Sequence, residues 1–330
     1  MEGLSSPDIL RRQPVVAGAQ GAMAMTSTAS AQVNSTPTVG LIGLGAMGLG
    51  MAQSLRRKGH LPRVYDVRGD AVQRFVAEGG VACTSPAEVA AGCDVLISVV
   101  VNAAQTESVL FGERGAAAAL PKGSVFVMCS TVDPGFSVAL EARLAALGLL
   151  YIDAPISGGA ARAARGEITM MTAGRPQAYE KAMPVLESMA GKVYRLGDAA
   201  GPGSTVKIVN QLLAGVHIAA AAEAMALGIR AGVDPKQIYE VITHSAGNSW
   251  MFENRMPHVL DGDYTPLSAV DIFVKDLGLV LDTARASKFP LPLAATAHQM
   301  FSMASSAGHG KEDDAAVIKI FPGIELPQKR

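Results

Sequence analysis

Lys207 and Asn210 stand three residues apart in the run Gly203-Ser204-Thr205-Val206-Lys207-Ile208-Val209-Asn210. On a helix that spacing puts an amine and a carboxamide on one face. The run is among the most apolar of the chain. A lysine there is desolvated, snorkels to water, or is functional, and the residues leave these readings open.

A second constellation is Gly43-Leu44-Gly45-Ala46-Met47-Gly48, preceded by the apolar run Thr38 to Ile42. A strand that runs into Gly-x-Gly-x-x-Gly and then a helix is the fingerprint of a turn that seats a dinucleotide pyrophosphate. The first glycine allows the sharp turn, the second lets backbone approach phosphate, and the third lets helix and strand pack closely. The helix N-terminus then offers unpaired N–H groups to the anion. Asp66 follows Gly43 by 23 residues, at the end of a short strand. That is close to the ~20-residue spacing of a carboxylate that binds the adenosine ribose. It favours NAD over NADP, although Arg68 is placed to pair with a 2′-phosphate. Asp66 as a simple turn initiator is the alternative.

Three further segments place polar groups beside glycine or at strand ends. Ser130-Thr131 follows the strand ending at Cys129, where ligands of open α/β sheets bind. Capping of the helix from Pro134 is the other reading. In Asp153-Ala154-Pro155-Ile156-Ser157-Gly158-Gly159 a hydroxyl and successive N–H groups are open enough to hold a carboxylate, unless the segment is an ordinary turn. Lys275-Asp276 reads as a functional pair or a solvated charged face.

These residues need elements to position them. Between residues 38 and about 195 the pattern alternates strand and helix. Apolar strands are expected at Asp94–Val100, Ser124–Cys129, Tyr151–Asp153, Ile168–Thr172 and Lys192–Tyr194. Near-continuous apolar strands separated by helices indicate a mostly parallel sheet covered on both faces. After Gly201-Pro202-Gly203 strand patterning disappears. Helices are expected at Ser204–Arg230, from Pro235 with Asp234 as cap, and at Met251–Leu260, Leu267–Ser287 and Leu293–Ser306. The expected architecture is α/β: a disordered tail over residues 1–36, a doubly wound Rossmann-type domain over 37–200, and an all-helical domain over 201–325.

The chain has 330 residues, 49% hydrophobic and 17% charged, which suits a buried core. A net charge of −1 gives no sign of nucleic acid or anionic membrane as partner. The longest uncharged apolar run, Ile208 to Ala222, is shorter than the ~18 residues of a membrane span. Cys83, Cys93 and Cys129 form no CxxC and suit buried free thiols in a reducing cytoplasm. His and Cys show no metal-ligand spacing, so no zinc is expected.

Taken in order, Gly43-Leu44-Gly45-Ala46-Met47-Gly48, Ser130-Thr131, Asp153 to Gly159, Lys207-Ile208-Val209-Asn210 and Lys275-Asp276-Leu277 resemble the β-hydroxyacid dehydrogenase family. That family includes 3-hydroxyisobutyrate dehydrogenases and tartronate semialdehyde reductases. The resemblance covers about residues 38 to 310. The stretch Ser245 to Arg255 is similar to a branch that acts on four-carbon sugar acids.

The resemblance implies Lys207 as the catalytic lysine and Asn210 as a substrate-orienting residue. It implies a carboxylate site at Ser157, Gly158 and Gly159. Thr131 would lie near the nicotinamide ribose, and Lys275 would close over the cofactor. Val101 and Asn102 replace the Leu-Pro pair of many members, leaving that contact to backbone. Asn248, Ser249 and Trp250 are candidates for the distal hydroxyls, with Trp250 as core packing the alternative. The implied activity is NAD-dependent oxidation of L-threonate to its 2-oxo acid. Burial beside the cofactor's positive charge would lower the pKa of Lys207 from near ~10.4 toward about 7–8, where it serves as general acid/base. The alternatives are oxidation of 3-hydroxyisobutyrate, reduction of tartronate or succinic semialdehyde, and a non-catalytic dinucleotide-binding module. Retention of Lys207 and of the glycine turn argues against the last. Members pair through their helical domains, so a homodimer or homotetramer is implied.

Overall fold

The computed structural model describes residues 36–329. The tail expected over residues 1–36 lies outside them apart from Thr36. The first half runs β1 (Val39–Ile42), α1 (Gly48–Arg57), β2 (Arg63–Tyr65), α2 (Gly69–Ala77), β3 (Val81–Ala82), α3 (Pro86–Ala90), β4 (Val95–Ser98), α4 (Ala103–Phe111), β5 (Val125–Met128), α5 (Pro134–Ala146) and β6 (Leu150–Asp153). These strands form a six-stranded sheet in the order β3-β2-β1-β4-β5-β6, with every pairing parallel. The order reverses between β1 and β4, the crevice where such sheets bind ligands.

Both faces of the sheet are apolar, and successive residues go to opposite layers. Leu41, Val95, Ile97, Val125 and Val127 pack with Met51, Leu55 and Phe75 of α1 and α2. Ile42, Leu96, Phe126 and Met128 pack on the other side with Val89, Leu110, Leu140 and Leu144 of α3, α4 and α5. This two-sided burial is what the unbroken apolar strands indicated.

The chain then departs from the single sheet expected up to residue 195. After Asp153 come β7 (Ile156–Ser157), α6 (Gly159–Arg165), β8 (Ile168–Thr172), α7 (Pro176–Glu187) and β9 (Ala190–Arg195). They form a separate sheet, β7-β8-β9, with β7 antiparallel to β8. Asp153 and Ala173 exchange backbone hydrogen bonds in a lone bridge between the two sheets. Pro155 lies between β6 and β7 without an N–H, so a ladder cannot run on through it.

The second half is helical: α8 (Pro202–Arg230), α9 (Pro235–Thr243), α10 (Trp250–Asp261), α11 (Val270–Ala286) and α12 (Pro292–Ala304), then a 3₁₀ segment at Asp314–Ile320. By length and composition α8 is apolar enough to cross a membrane. Instead it forms the spine of a bundle, with Ile218, Ala222 and Met225 packed against Phe252, Phe273, Leu277 and Phe301. Asp234 caps α9, accepting a hydrogen bond from Lys236 N at 2.9 Å. Arg255 forms a buried pair with Asp314, and burial pushes that carboxyl up to about 6.

The start of α8 is fixed by the end of β6. Asp153 is fully buried. Its Oδ2 accepts hydrogen bonds from Gly201 N (3.0 Å) and Ser204 N (2.8 Å), and its Oδ1 accepts from Ser204 Oγ (2.6 Å). A carboxylate from a distant strand thus satisfies the unpaired donors at the start of a 29-residue helix. Asp153→Ala strands those donors and is expected to cost about 2–4 kcal/mol. Asp153→Asn, which keeps an acceptor oxygen, should cost less. Urea unfolding of the two variants checks both the size and the order.

Candidate active site

The glycine turn is built as tightly as its sequence implies. Gly43 adopts φ +98°, and a Cβ there would stand 2.4 Å from Val99 O. At Gly48 a Cβ would stand 1.8 Å from Gly43 O, so only glycine lets α1 start there. Gly45 differs: nothing lies within 4 Å of where its Cβ would be. The turn is closed on its inner side and open where a ligand would approach. Beside it lies a cavity of about 330 Å³ lined by Leu44, Gly45, Ala46, Gln53, Arg68 and Arg74 among others. Open backbone, a helix N-terminus without acidic residues in its first turn, and two guanidinium groups fit a dinucleotide phosphate. Met47 precedes α1 and packs on the sheet core.

Asp66 sits just past β2. Its Oδ2 accepts from Leu44 N at 2.6 Å, and its Oδ1 accepts from Arg68 N at 2.8 Å. The carboxylate is thereby held against the glycine turn. Arg68 Nε lies 3.5 Å from Asp66 Oδ1, with the arginine side chain more than half exposed. Across the crevice, Asn102 caps α4 by accepting from Gln105 N at 2.9 Å, so its side chain is committed to the helix. Val101 O accepts from Lys275 Nζ at 2.9 Å, which joins α11 to the loop after β4. Thr131 is half-buried, and its neighbour Ser130 is buried, with its hydroxyl 3.1 Å from that of Thr106. The cap of α5 is Asp133, which accepts from Gly135 N and Phe136 N, and so neither Ser130 nor Thr131 serves that helix.

Lys207 lies in the second turn of α8, 7% exposed. Its Nζ donates to Ile156 O at 2.8 Å. Burial lowers its pKa to about 8; nearby Asp276 opposes the shift, and Lys275 adds to it. The buried-amine reading of the sequence therefore describes the structure, and the snorkelling reading does not. Asp276 is buried too, not part of a solvated face. Its Oδ2 accepts from Gln211, which in turn accepts from Asn210 Nδ2 at 2.9 Å. Lys275 Nζ contacts its Oδ1 at 2.6 Å.

A second cavity, of about 290 Å³, is lined by Ser157, the residue after the carbonyl that holds this amine, and by Asn210, three residues along α8 from Lys207. Ser157 and Gly158 line one side with Arg162 and Thr169. Asn210, Leu213, Ala214 and His217 of α8 line another, with Trp250 and Met251. Antiparallel pairing of Ser157 with Thr169 sets the two hydroxyl residues side by side. Gly159 follows at the start of α6, exposed. Trp250 is 53% exposed, while Phe252 and Met256 do the core packing that was its alternative role.

Asn248 and Ser249 are turned toward their own helix. Ser249 Oγ accepts from Phe252 N as the cap of α10. Asn248 Nδ2 donates to Glu253 and to Thr243 O. Neither lines the cavity, because this Asn-Ser pair solves the local problem of starting α10. Arg162, Thr169 and His217 escaped the sequence reading. His217 had a faint signal, seven residues after Asn210 on one helix face; Arg162 had none. Among the described residues no group of three His, Cys, Asp or Glu converges on a metal-sized point.

Residues 38–197 match the family described as the NAD binding domain of 6-phosphogluconate dehydrogenase. Residues 201–321 match the one described as NAD-binding of NADP-dependent 3-hydroxyisobutyrate dehydrogenase. An L-threonate dehydrogenase of Cupriavidus necator is 69% identical over 88% of this chain and 98% of its own length. The chain belongs to the β-hydroxyacid dehydrogenase family. An L-threonate dehydrogenase of Escherichia coli K12 is 55% identical over 88% of this dehydrogenase and 96% of its own chain. A crystal structure named 3-hydroxyisobutyrate dehydrogenase, from Salmonella typhimurium, superposes with a TM-score of 0.82 at 56% identity, covering 86% of this chain and 99% of that one. As a member, this dehydrogenase is an oxidoreductase that uses a nicotinamide dinucleotide and acts on a small hydroxy acid.

The buried amine carries a stability consequence with a definite sign. The unfolded chain holds the Lys207 proton up to its ordinary 10.5, the folded chain only to about 8. Between those values the unfolded state binds more protons, so stability rises with pH there. Below pH 8 the buried charge is a standing cost. Lys207→Met is expected to stabilise the protein at pH 7 by on the order of 1–3 kcal/mol, after loss of the bond to Ile156 O. That advantage should shrink above pH 8. Melting temperatures of both proteins from pH 6 to 10 test it.

Proposed function

We propose that the dehydrogenase oxidises L-threonate to its 2-oxo acid with NAD as acceptor and Lys207 as general acid/base. The observation that carries this reading is the bond from Lys207 Nζ to Ile156 O. It holds a readily deprotonated amine one residue from Ser157, which lines the neighbouring cavity together with Asn210. The Cupriavidus necator relative named L-threonate dehydrogenase, at 69% identity, supports the choice of acid.

The roles follow from charge. Gly43 to Gly48 would hold the pyrophosphate on backbone N–H groups, and Asp66 would face the adenosine ribose. Val101, Asn102, Thr131 and Lys275 would frame the nicotinamide half. When bound, the nicotinamide supplies the hydride acceptor. Ser157, Gly158 and Gly159 would hold the substrate carboxylate through a hydroxyl and backbone N–H groups, and Asn210 would orient the carbinol. Neutral Lys207 takes the hydroxyl proton, and as an ammonium it holds negative charge on the oxygen. Its carbonyl partner, Ile156 O, accepts a hydrogen bond from either form. Trp250 would bound the distal hydroxyls; Asn248 and Ser249 would act there only through the turn they build.

A carboxylate at Asp66 disfavours a 2′-phosphate, which supports NAD over NADP. Three buried free thiols suit a reducing cytoplasm. Exposed Val209, Leu227 and Val241 leave apolar surface on the helical half, which supports a homodimer or homotetramer. A second reading, oxidation of 3-hydroxyisobutyrate, draws on the name of the Salmonella structure; the Ser157, Thr169, Asn210 and His217 side chains among the cavity's lining residues support the sugar acid.

Initial rates with L-threonate and NAD are expected to exceed those with 3-hydroxyisobutyrate; the reverse order would remove the sugar-acid assignment. Lys207→Ala should lower turnover at least ~10²-fold while NADH binding, read by fluorescence, stays within a few-fold. The wild-type kcat/KM for oxidation should rise with pH to a plateau above about 8. Asp66→Ser is expected to raise kcat/KM with NADP relative to NAD by about tenfold or more.

A further inference from the structure

We infer that Arg162 pairs with the substrate carboxylate and makes the negative charge of the acid a requirement for tight binding. Arg162 lines the same cavity as Ser157, Gly158 and Asn210. It projects from α6, one turn after the glycine pair. Its stem packs on the carboxylate segment: Cβ and Cδ both lie 3.4 Å from where a Gly158 Cβ would stand. Gly158 has φ +134°, so a larger residue there would be strained and would also press on that stem.

The guanidinium has no partner of its own. Among the described residues no carboxylate lies within ion-pair distance of it, and its side chain donates no hydrogen bond. Its neighbour Arg165 behaves differently, pairing with Glu167 at 2.7 Å. Of the other residues that line the cavity, none is acidic, and His217 is the one other titratable group. A solvent-exposed cation without a partner, on a residue that lines a cavity without anions, is complementary to an anionic ligand. Arginine presents a planar fork of donors that matches a carboxylate in two-point geometry. Ser157 and the Gly158 and Gly159 N–H groups recognise shape and hydrogen-bonding capacity, which a neutral amide oxygen would partly satisfy. Arg162 adds the test for charge.

The carboxylate is charged before and after the alcohol is oxidised. The pairing therefore strengthens ground state and transition state alike, and its loss falls on KM, not on kcat.

This inference rests on the proposed sugar-acid reading for its choice of substrate, and the test separates the two. KM and kcat are measured for L-threonate and for its neutral isostere L-threonamide, with the wild type, Arg162→Met and Arg162→Lys. Where the amide turns over slowly, its competitive inhibition constant replaces KM. Arg162→Met should raise KM for L-threonate about 10- to 100-fold, with kcat within about twofold. The constant for L-threonamide should stay within about twofold, and Arg162→Lys should restore part of the affinity. An unchanged KM for L-threonate, or equal losses on acid and amide, overturns the pairing. If the wild type prefers another hydroxy acid, the sugar-acid reading fails on its own. That acid and its amide then replace the pair, and the same two outcomes decide.

Discussion

The union of β6 with α8 through the Asp153 carboxylate is the constraint on which the rest depends. Everything proposed for proton transfer sits in the two helical turns that follow this contact. Lys207 and Asn210 can face Ser157 only if the helix begins at one place and in one direction. Ser204 and Gly201 supply the donors, Asp153 the acceptors. Gly203 lets the joint close, since a Cβ there would stand 2.6 Å from Met171 O. Burial pushes the Asp153 carboxyl upward, and the donors from Ser204 and Gly201 pull it back. The carboxylate is kept by its partners, not by solvent.

A related balance governs Lys207. An amine buried this deeply would lose its proton more readily still without Asp276 nearby, and less readily without Lys275. Asp276 is itself occupied by Gln211 and Lys275. It therefore tempers the lysine from a distance, without binding it. The direct partner is a neutral carbonyl. A carboxylate in that position would hold the ammonium too firmly for it to act as a base near neutral pH. The same chain of contacts reaches Val101 O through Lys275, so the groups around the amine are mechanically tied to the loop that borders the cofactor crevice.

Much of this was legible in the sequence because its signals are local. The glycine turn, the two-sided strands and the helices capped by Asp234 or opened by proline are each written within a dozen residues. Lys207 was legible as unusual but not as buried, since periodicity alone does not say which helix face meets another element. The separate sheet after Asp153 was not legible. β8 has the apolar run of a strand that could join either sheet, and only the break at Pro155 decides. The Ser245–Arg255 stretch divides by position. Of the three residues read there as substrate contacts, Trp250 lines the cavity, whereas Ser249 caps α10 and Asn248 holds Glu253. Arg162 went unread because its meaning lies in a juxtaposition with Asn210 and His217, some fifty residues along the chain.

At 29 residues α8 runs about 44 Å. Its side-chain hydrogen bonds to the nucleotide-binding half, from Ser204 and Lys207, fall within its first two turns, the next turns to His217 line the cavity, and the rest packs in the bundle. The bundle it belongs to is also pinned to that half by Lys275 on Val101 O and by Thr283 on Asp133. Any shift of the bundle is therefore felt at the amine through α8 and α11 together, so the seating of one half on the other sets the surroundings of the proton-transfer group.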